Sequence, residues 1–143
     1  MRIRRGTPKD LDVLDGVFAN AREGMFAYVP RLHTPEEDRR FLASLIETTE
    51  LWVAEDDGGR VIGFVSLSGD LLGHLYVHPR GRGTGAALLA HAKGLRPGGF
   101  ELWVFQRNEG ARRFYERHGL RLVELTDGSG SEEREPDARY AWP

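Results

Sequence analysis

Hydrophobic positions in the first third of the chain recur at helical spacing. Leu11, Leu14, Val17, Phe18 and Ala21 share one face, and Phe41, Leu42, Leu45 and Ile46 share another. A start signal precedes each stripe. Thr7-Pro8-Lys9-Asp10 supplies a cap, a proline at the first helical position and an acid at the third, and Thr34-Pro35-Glu36-Glu37 repeats this as a complete capping box. The pattern predicts helices from Thr7 to about Arg22 and from Thr34 onward, after a short strand at residues 2–6. Residues 24–33 mix aromatic and apolar side chains without a period and read as a loop.

From Leu51 the period falls to two, which is the signature of strands. Residues 51–55 and 61–67 form a hairpin about Asp56-Asp57-Gly58-Gly59, and Ser68-Gly69-Asp70 turns the chain into a third strand, Leu71–Val77. Pro79 ends that strand. A helix rich in alanine and leucine runs from Gly83 to Leu95, and Pro97-Gly98-Gly99 breaks it before a strand at Phe100–Phe105. Asn108 caps a further helix, with Gly119 just past its end. A strand at 120–125, a polar loop at 126–136 and a strand at 138–142 complete the order β α α β β β α β α β β. That order implies a mixed α/β sheet with helices on its faces.

Length and composition narrow the class. The chain has 143 residues, 40% hydrophobic and 29% charged. One domain spanning 1–143, with a core and a ligand cleft, is expected, since such a length buries about two-thirds of its unfolded surface. No cysteine is present, so a disulfide framework, a thiolate metal site and a cysteine nucleophile are excluded. The five histidines show no metal-ligand spacing, and no metal is expected. Net charge is −2 although arginine outnumbers lysine 18 to 2, so no global basic field predicts a nucleic-acid partner. Neither a signal peptide nor a membrane span is visible, and a cytoplasmic location is expected.

The densest chemistry lies at Leu75-Tyr76-Val77-His78-Pro79-Arg80-Gly81-Arg82-Gly83-Thr84-Gly85. A strand ends at proline, and an Arg/Gly turn opens a helix. Glycines let the backbone approach a ligand, successive N–H groups can face an anion, and the helix start adds positive potential. A diphosphate cradle follows from these features; the plainer alternative is a tight connection with solvated arginines. A P-loop is ruled out because it needs a lysine after its last glycine. The Rossmann spacing Gly81-x-Gly83-x-x-Ala86 is met loosely, with Glu101 twenty residues on. That acid starts the next strand instead of ending it, and the chain is too short for two mononucleotide halves.

The remaining template, Arg80-x-x-Gly83-x-Gly85, resembles the acetyl-CoA loop of the GNAT superfamily of N-acetyltransferases. The likeness covers the whole element order and returns at Asn108-Glu109-Gly110-Ala111-Arg112-Arg113-Phe114-Tyr115-Glu116-Arg117-His118-Gly119-Leu120. That stretch is similar to the family's Asn-x-x-Ala-x-x-Phe-Tyr-x-x-x-Gly-Phe motif, with leucine at the last position. The resemblance implies a mostly antiparallel seven-stranded sheet flanked by four helices, its central parallel strands, Leu71–Val77 and Phe100–Phe105, splayed apart. It implies acetyl-CoA as cosubstrate. Backbone groups of Tyr76 and Val77 would hold pantetheine and polarise the thioester. Amides of Arg80, Gly81, Arg82, Gly83, Thr84 and Gly85 would hold the diphosphate, Asn108 would bond the pantetheine arm, and Tyr115 would stand beside the sulfur as general acid.

Amide formation also needs a neutral amine, and a lysine-like amine titrates near about 10.4. His74 shares a strand face with Tyr76 and could take the proton, or it could be a hydrogen-bonded strand histidine without catalytic duty. Asp70 and Glu101 are weaker candidates. The resemblance places the acceptor, a small-molecule or peptide amine, against residues 25–33 and 127–137. Phe26, Tyr28 and Trp103 could line an apolar pocket there, although aromatics so placed are more often core, and the acids Glu132, Glu133, Glu135 and Asp137 could rim it, although a charge run is more often a solvated loop. The final strand, 138–142, could offer an edge to a second copy, so a homodimer is one assembly open to the chain, although the sequence does not give the oligomeric state. The rival functions are a non-catalytic CoA-binding domain of the same fold and a Rossmann-type nucleotide binder.

Overall fold

A computed structural model describes residues 1–143. Seven strands, β1 (Arg2–Arg5), β2 (Glu50–Glu55), β3 (Val61–Ser68), β4 (Leu71–Val77), β5 (Phe100–Phe105), β6 (Arg121–Leu125) and β7 (Asp137–Trp142), form one sheet in the order β1-β2-β3-β4-β5-β7-β6. Every neighbouring pair is antiparallel except β4 and β5. Four helices pack on it: α1 (Leu11–Arg22), α2 (Pro35–Thr48), α3 (Thr84–Leu95) and α4 (Glu109–Arg117). The mixed α/β architecture matches the order expected from the sequence.

The two faces of the sheet bury separate cores. Leu14, Val17 and Phe18 of α1 with Leu42 and Leu45 of α2 cover Leu51, Val53 and Phe64. On the other face, Leu88, Leu89 and Ala92 of α3 and Tyr115 of α4 cover Val65, Leu102, Ala138 and Tyr140. The first turn of α3 sits close against β3, because a Cβ at Gly63 would lie only 3.1 Å from Thr84 Cγ2 and Leu88 Cδ1. Glycine there lets the helix start approach the strand. At the outer edge, the Arg4 guanidinium bonds Asp10 at 2.8 and 3.0 Å and Glu55 at 2.8 Å, fixing the entry to α1 on β1.

Three expectations are corrected. Residues 24–33 are not all loop, since Glu23–Ala27 winds as a 3-10 helix that extends α1. The helix expected to start at the Thr7 cap begins with a 3-10 turn, Pro8–Asp10, before α1 proper. Strand 138–142 is not an edge: β7 lies between β5 and β6, with both sides paired, so it cannot recruit a second copy. The sheet's edges are β1 and β6. No helix is long and apolar enough to cross a membrane.

Candidate active site

The site begins with one extra residue in β4. Residues Leu71 and Leu72 pair with Ser68 and Leu67, whereas His74 pairs with Ser66 and Val77 with Gly63, so Gly73 has no partner and the register shifts by one. Such a bulge reverses which peptide groups point to which neighbour. Before it, Asp70 accepts the Glu101 N–H at 2.8 Å and Leu71 pairs with Glu101, the one ladder position shared by β4 and β5. After it, the His78 N–H donates to Ile62 of β3 at 2.9 Å. Alternation therefore turns the peptide groups of Tyr76 toward β3 and those of Leu75 and Val77 toward β5. The strands have parted by then. The Val77 amide faces the gap without a ladder partner, and Tyr76 enters the site through its side chain, not through the backbone groups expected of it.

The turn after β4 leaves a second set of amides free. Gly81 and Gly83 adopt φ of +83° and +74°, a region in which a Cβ is strained. Gly83 is the N-cap of α3 and has no side chain to cap it, and the first helical bond runs from the Ala87 N–H to the Gly83 carbonyl. The amides of Thr84, Gly85 and Ala86 therefore lack helical partners, at the positive end of a twelve-residue helix. Arg80 and Arg82 stand exposed beside them. Thr84 can offer a ligand only its amide, since its side chain is buried with Oγ1 unpaired. At Gly85 a Cβ would come within 3.4 Å of Phe114 Cζ, so α4 closes directly over the cradle. Uncapped amides, flanking arginines and a clear approach suit the diphosphate of CoA.

The last helix supplies the other predicted groups. Asn108 Oδ1 accepts the Ala111 N–H at 3.1 Å, which caps α4 and leaves the side-chain amide nitrogen for a ligand. Seven residues on, Tyr115 is 8% exposed and packs against Phe114 and Tyr140. Burial, with a smaller contribution from Tyr76, pushes its phenol well above the usual value, so it holds its proton through the neutral range. A phenol that keeps its proton at neutral pH can act as a hydrogen-bond or proton donor and not as a base.

His74 lies on the opposite face of β4 from Tyr115 and does not touch it. Its Nδ1 is 3.0 Å from Ser66 Oγ, and the Phe41 ring stands edge-on at 5.1 Å. Burial, and to a lesser degree the Arg22 charge, lowers its pKa to about 4, so the imidazole is neutral at neutral pH. The neighbouring Tyr76 ring packs on Phe18 and Phe64, and burial raises its phenol. Asp70 and Glu101, the other candidate bases, sit where β4 and β5 still pair. Glu101 is also held by Arg139 at 2.9 Å. They are at the closed end of the gap.

The acceptor side is assembled from the expected segments but not all of the expected residues. Tyr28 meets Phe105 edge-on at 6.2 Å with the Arg107 guanidinium over its ring. The charge of Glu133 is felt at Tyr76, and burial together with Glu133 and Glu135 raises the Asp137 carboxyl. His33 Nε2 reaches Glu132 at 2.8 Å, linking residues 25–33 to loop 126–136. Phe26 is stacked by Arg31 at 3.8 Å, and Trp103 is 46% exposed beneath Arg139. Neither joins the aromatic cluster around Tyr76. Ser66, the partner of His74, was missed, although a serine within the apolar run Val61–Ser68 is the signal that could have found it. No three His, Asp or Glu side chains converge as a metal site.

Comparison with known proteins identifies the family and the fold. Residues 47–121 match the family described as an acetyltransferase (GNAT) domain. Peptidyl-lysine N-acetyltransferase YjaB of Salmonella typhimurium is 26% identical over 125 residues, 86% of this chain and 85% of that protein. The solution structure of apo YjaB from Escherichia coli superposes with a TM-score of 0.81 at 24% identity, covering 99% and 96% of the two chains. A phosphinothricin acetyltransferase of Sinorhizobium meliloti, solved with acetyl-CoA, gives 0.76 at 19% identity over 99% and 87%.

Proposed function

This chain belongs to the GNAT acetyltransferase family and is an acetyl-CoA-dependent N-acetyltransferase, and we propose that its acceptor is the side-chain amine of a peptidyl lysine. The observation that carries the reading is the continuity of two unpaired amide sets, Val77 at the parted strands and Thr84 to Ala86 at the uncapped helix. The second suits a diphosphate, and the first, earlier in the chain at the parted strands, offers a thioester carbonyl a donor. In this reading the amine attacks the carbonyl carbon while the Val77 N–H bonds the developing oxyanion. The C–N bond forms and the C–S bond breaks. The amine's proton leaves to solvent, and the Tyr115 phenol donates to the departing sulfur and regains its proton from solvent once CoA leaves. Asn108 aligns the pantetheine amides.

Two observations support a peptidyl acceptor. The relatives named above as YjaB are peptidyl-lysine acetyltransferases. Residues 25–33 meet loop 126–136 at His33 and Glu132, and Glu133 and Asp137 lie close enough to each other for their charges to interact, so acids collect on this side and attract a cationic chain. We take residues 1–143 as one catalytic domain acting in the cytoplasm. Thiol release from acetyl-CoA tests the reading across lysine peptides, polyamines and aminoglycosides. Lysine peptides should accelerate release most. Tight binding of acetyl-CoA with no acceleration by any amine would instead establish a non-catalytic CoA-binding domain.

A further inference from the structure

Ser66 is an anomaly in its surroundings. It is 1% exposed, lies between the buried Val65 and Leu67, and sits directly opposite His74 in the β3/β4 register, next to the bulge at Gly73. A hydroxyl in such a place needs a hydrogen-bond partner. The only polar atom within reach is His74 Nδ1, at 3.0 Å.

Two arrangements can join them. If Nδ1 carried the hydrogen and donated to Ser66 Oγ, the serine's own proton would have no acceptor and would be stranded in a dry strand interface. If Ser66 donates to a bare Nδ1, both groups are satisfied. The second arrangement puts the ring hydrogen on Nε2, across the ring from Ser66, where no protein atom accepts it. From these contacts we infer that Ser66 fixes His74 as the Nε2–H tautomer, a neutral donor left without a protein partner on the face of β4 that Tyr76 shares, and that this donor selects an amine carrying a carbonyl oxygen.

The surroundings keep the imidazole in that state. Phe41 holds the ring edge-on, and Arg22, the charged group nearest this face, is turned to the Phe18 carbonyl and to Asp38. A hydrogen already sits on Nε2, and the Nδ1 lone pair is taken up by Ser66. The ring has no free lone pair with which to take a substrate proton directly, so this arrangement makes His74 a positioning and selecting group instead of the base. An N–H finds a lone pair on a peptide carbonyl and none on the ammonium groups of a polyamine. The inference rests on the peptidyl-acceptor reading and separates that class from simple amines by chemistry.

Long-range 1H–15N NMR of protein with labelled histidine reads the tautomer directly and needs no turnover. Wild type should show His74 protonated at Nε2 and bare at Nδ1. Ser66→Ala should give a mixture of both tautomers, and Ser66→Thr should restore the single form. An Nδ1–H form in the wild type overturns the inference whether or not the enzyme transfers acetyl. Kinetics supply the second arm. With His74→Leu, the KM for a lysine peptide should rise about tenfold relative to that for propylamine, the scale of one lost hydrogen bond. A fall in kcat common to both amines would instead identify His74 as the base.

Discussion

The two sides of β4 are built from different materials. Toward α3 and α4 the site is backbone: the Val77 amide, freed by a bulge, and the amides of Thr84 to Ala86, freed by a glycine N-cap. Toward α1 and α2 it is side chain: His74 on Ser66, Tyr76 on Phe18, Tyr28 on Phe105. A backbone cradle depends on glycines at fixed positions and tolerates variation elsewhere. A side-chain cluster depends on each neighbour. The first suits a ligand that never changes, the diphosphate and arm of CoA. The second suits an acceptor that differs from one relative to another.

The sharpest way to break this contrast is at Tyr115, the side chain proposed as general acid on the cofactor side. Tyr115→Phe keeps the packing and removes the donor. It should lower kcat by about 10²–10⁴ while leaving acetyl-CoA binding unaltered, the range found for lost general acids. Wild-type turnover in that variant would take the acid role from Tyr115.

A smaller effect tests the acceptor side through stability. The folded pKa of His74 is about 4 against an ordinary 6.5. Below pH 6.5 the unfolded chain takes up a proton that the folded chain does not, so stability falls with decreasing pH and levels off near pH 4. The full loss is at most about 3 kcal/mol. Urea unfolding across that window should show it, and His74→Gln should flatten that part of the profile. An identical slope in wild type and variant would mean that His74 is not buried as described.

What was legible in the sequence follows the same division. Arg80-x-x-Gly83-x-Gly85 and the stretch from Asn108 to Gly119 announce themselves because backbone geometry demands particular residues at particular spacings. Helix caps were equally readable: Thr34 and Asn108 both act as expected. The bulge at Gly73 was not, since a glycine in a strand does not say in which direction the peptide groups beyond it turn, and the backbone contacts that the resemblance implies for Tyr76 are ones its neighbour Leu75 is oriented to make. Trp103 illustrates another limit. Its sequence context looks like core, yet the face that it occupies has no helix over it. The position of β7 inside the sheet depended on pairing between distant segments, which local pattern cannot fix.

The central claim is that two sets of free amides, at Val77 and at the start of α3, hold acetyl-CoA. Backbone amide NMR during an acetyl-CoA titration tests it residue by residue. Large, saturable shifts at Val77 and Arg80 through Ala86, with a smaller one at the β3-paired Tyr76, are the predicted result. Saturation with those amides unmoved would contradict the account.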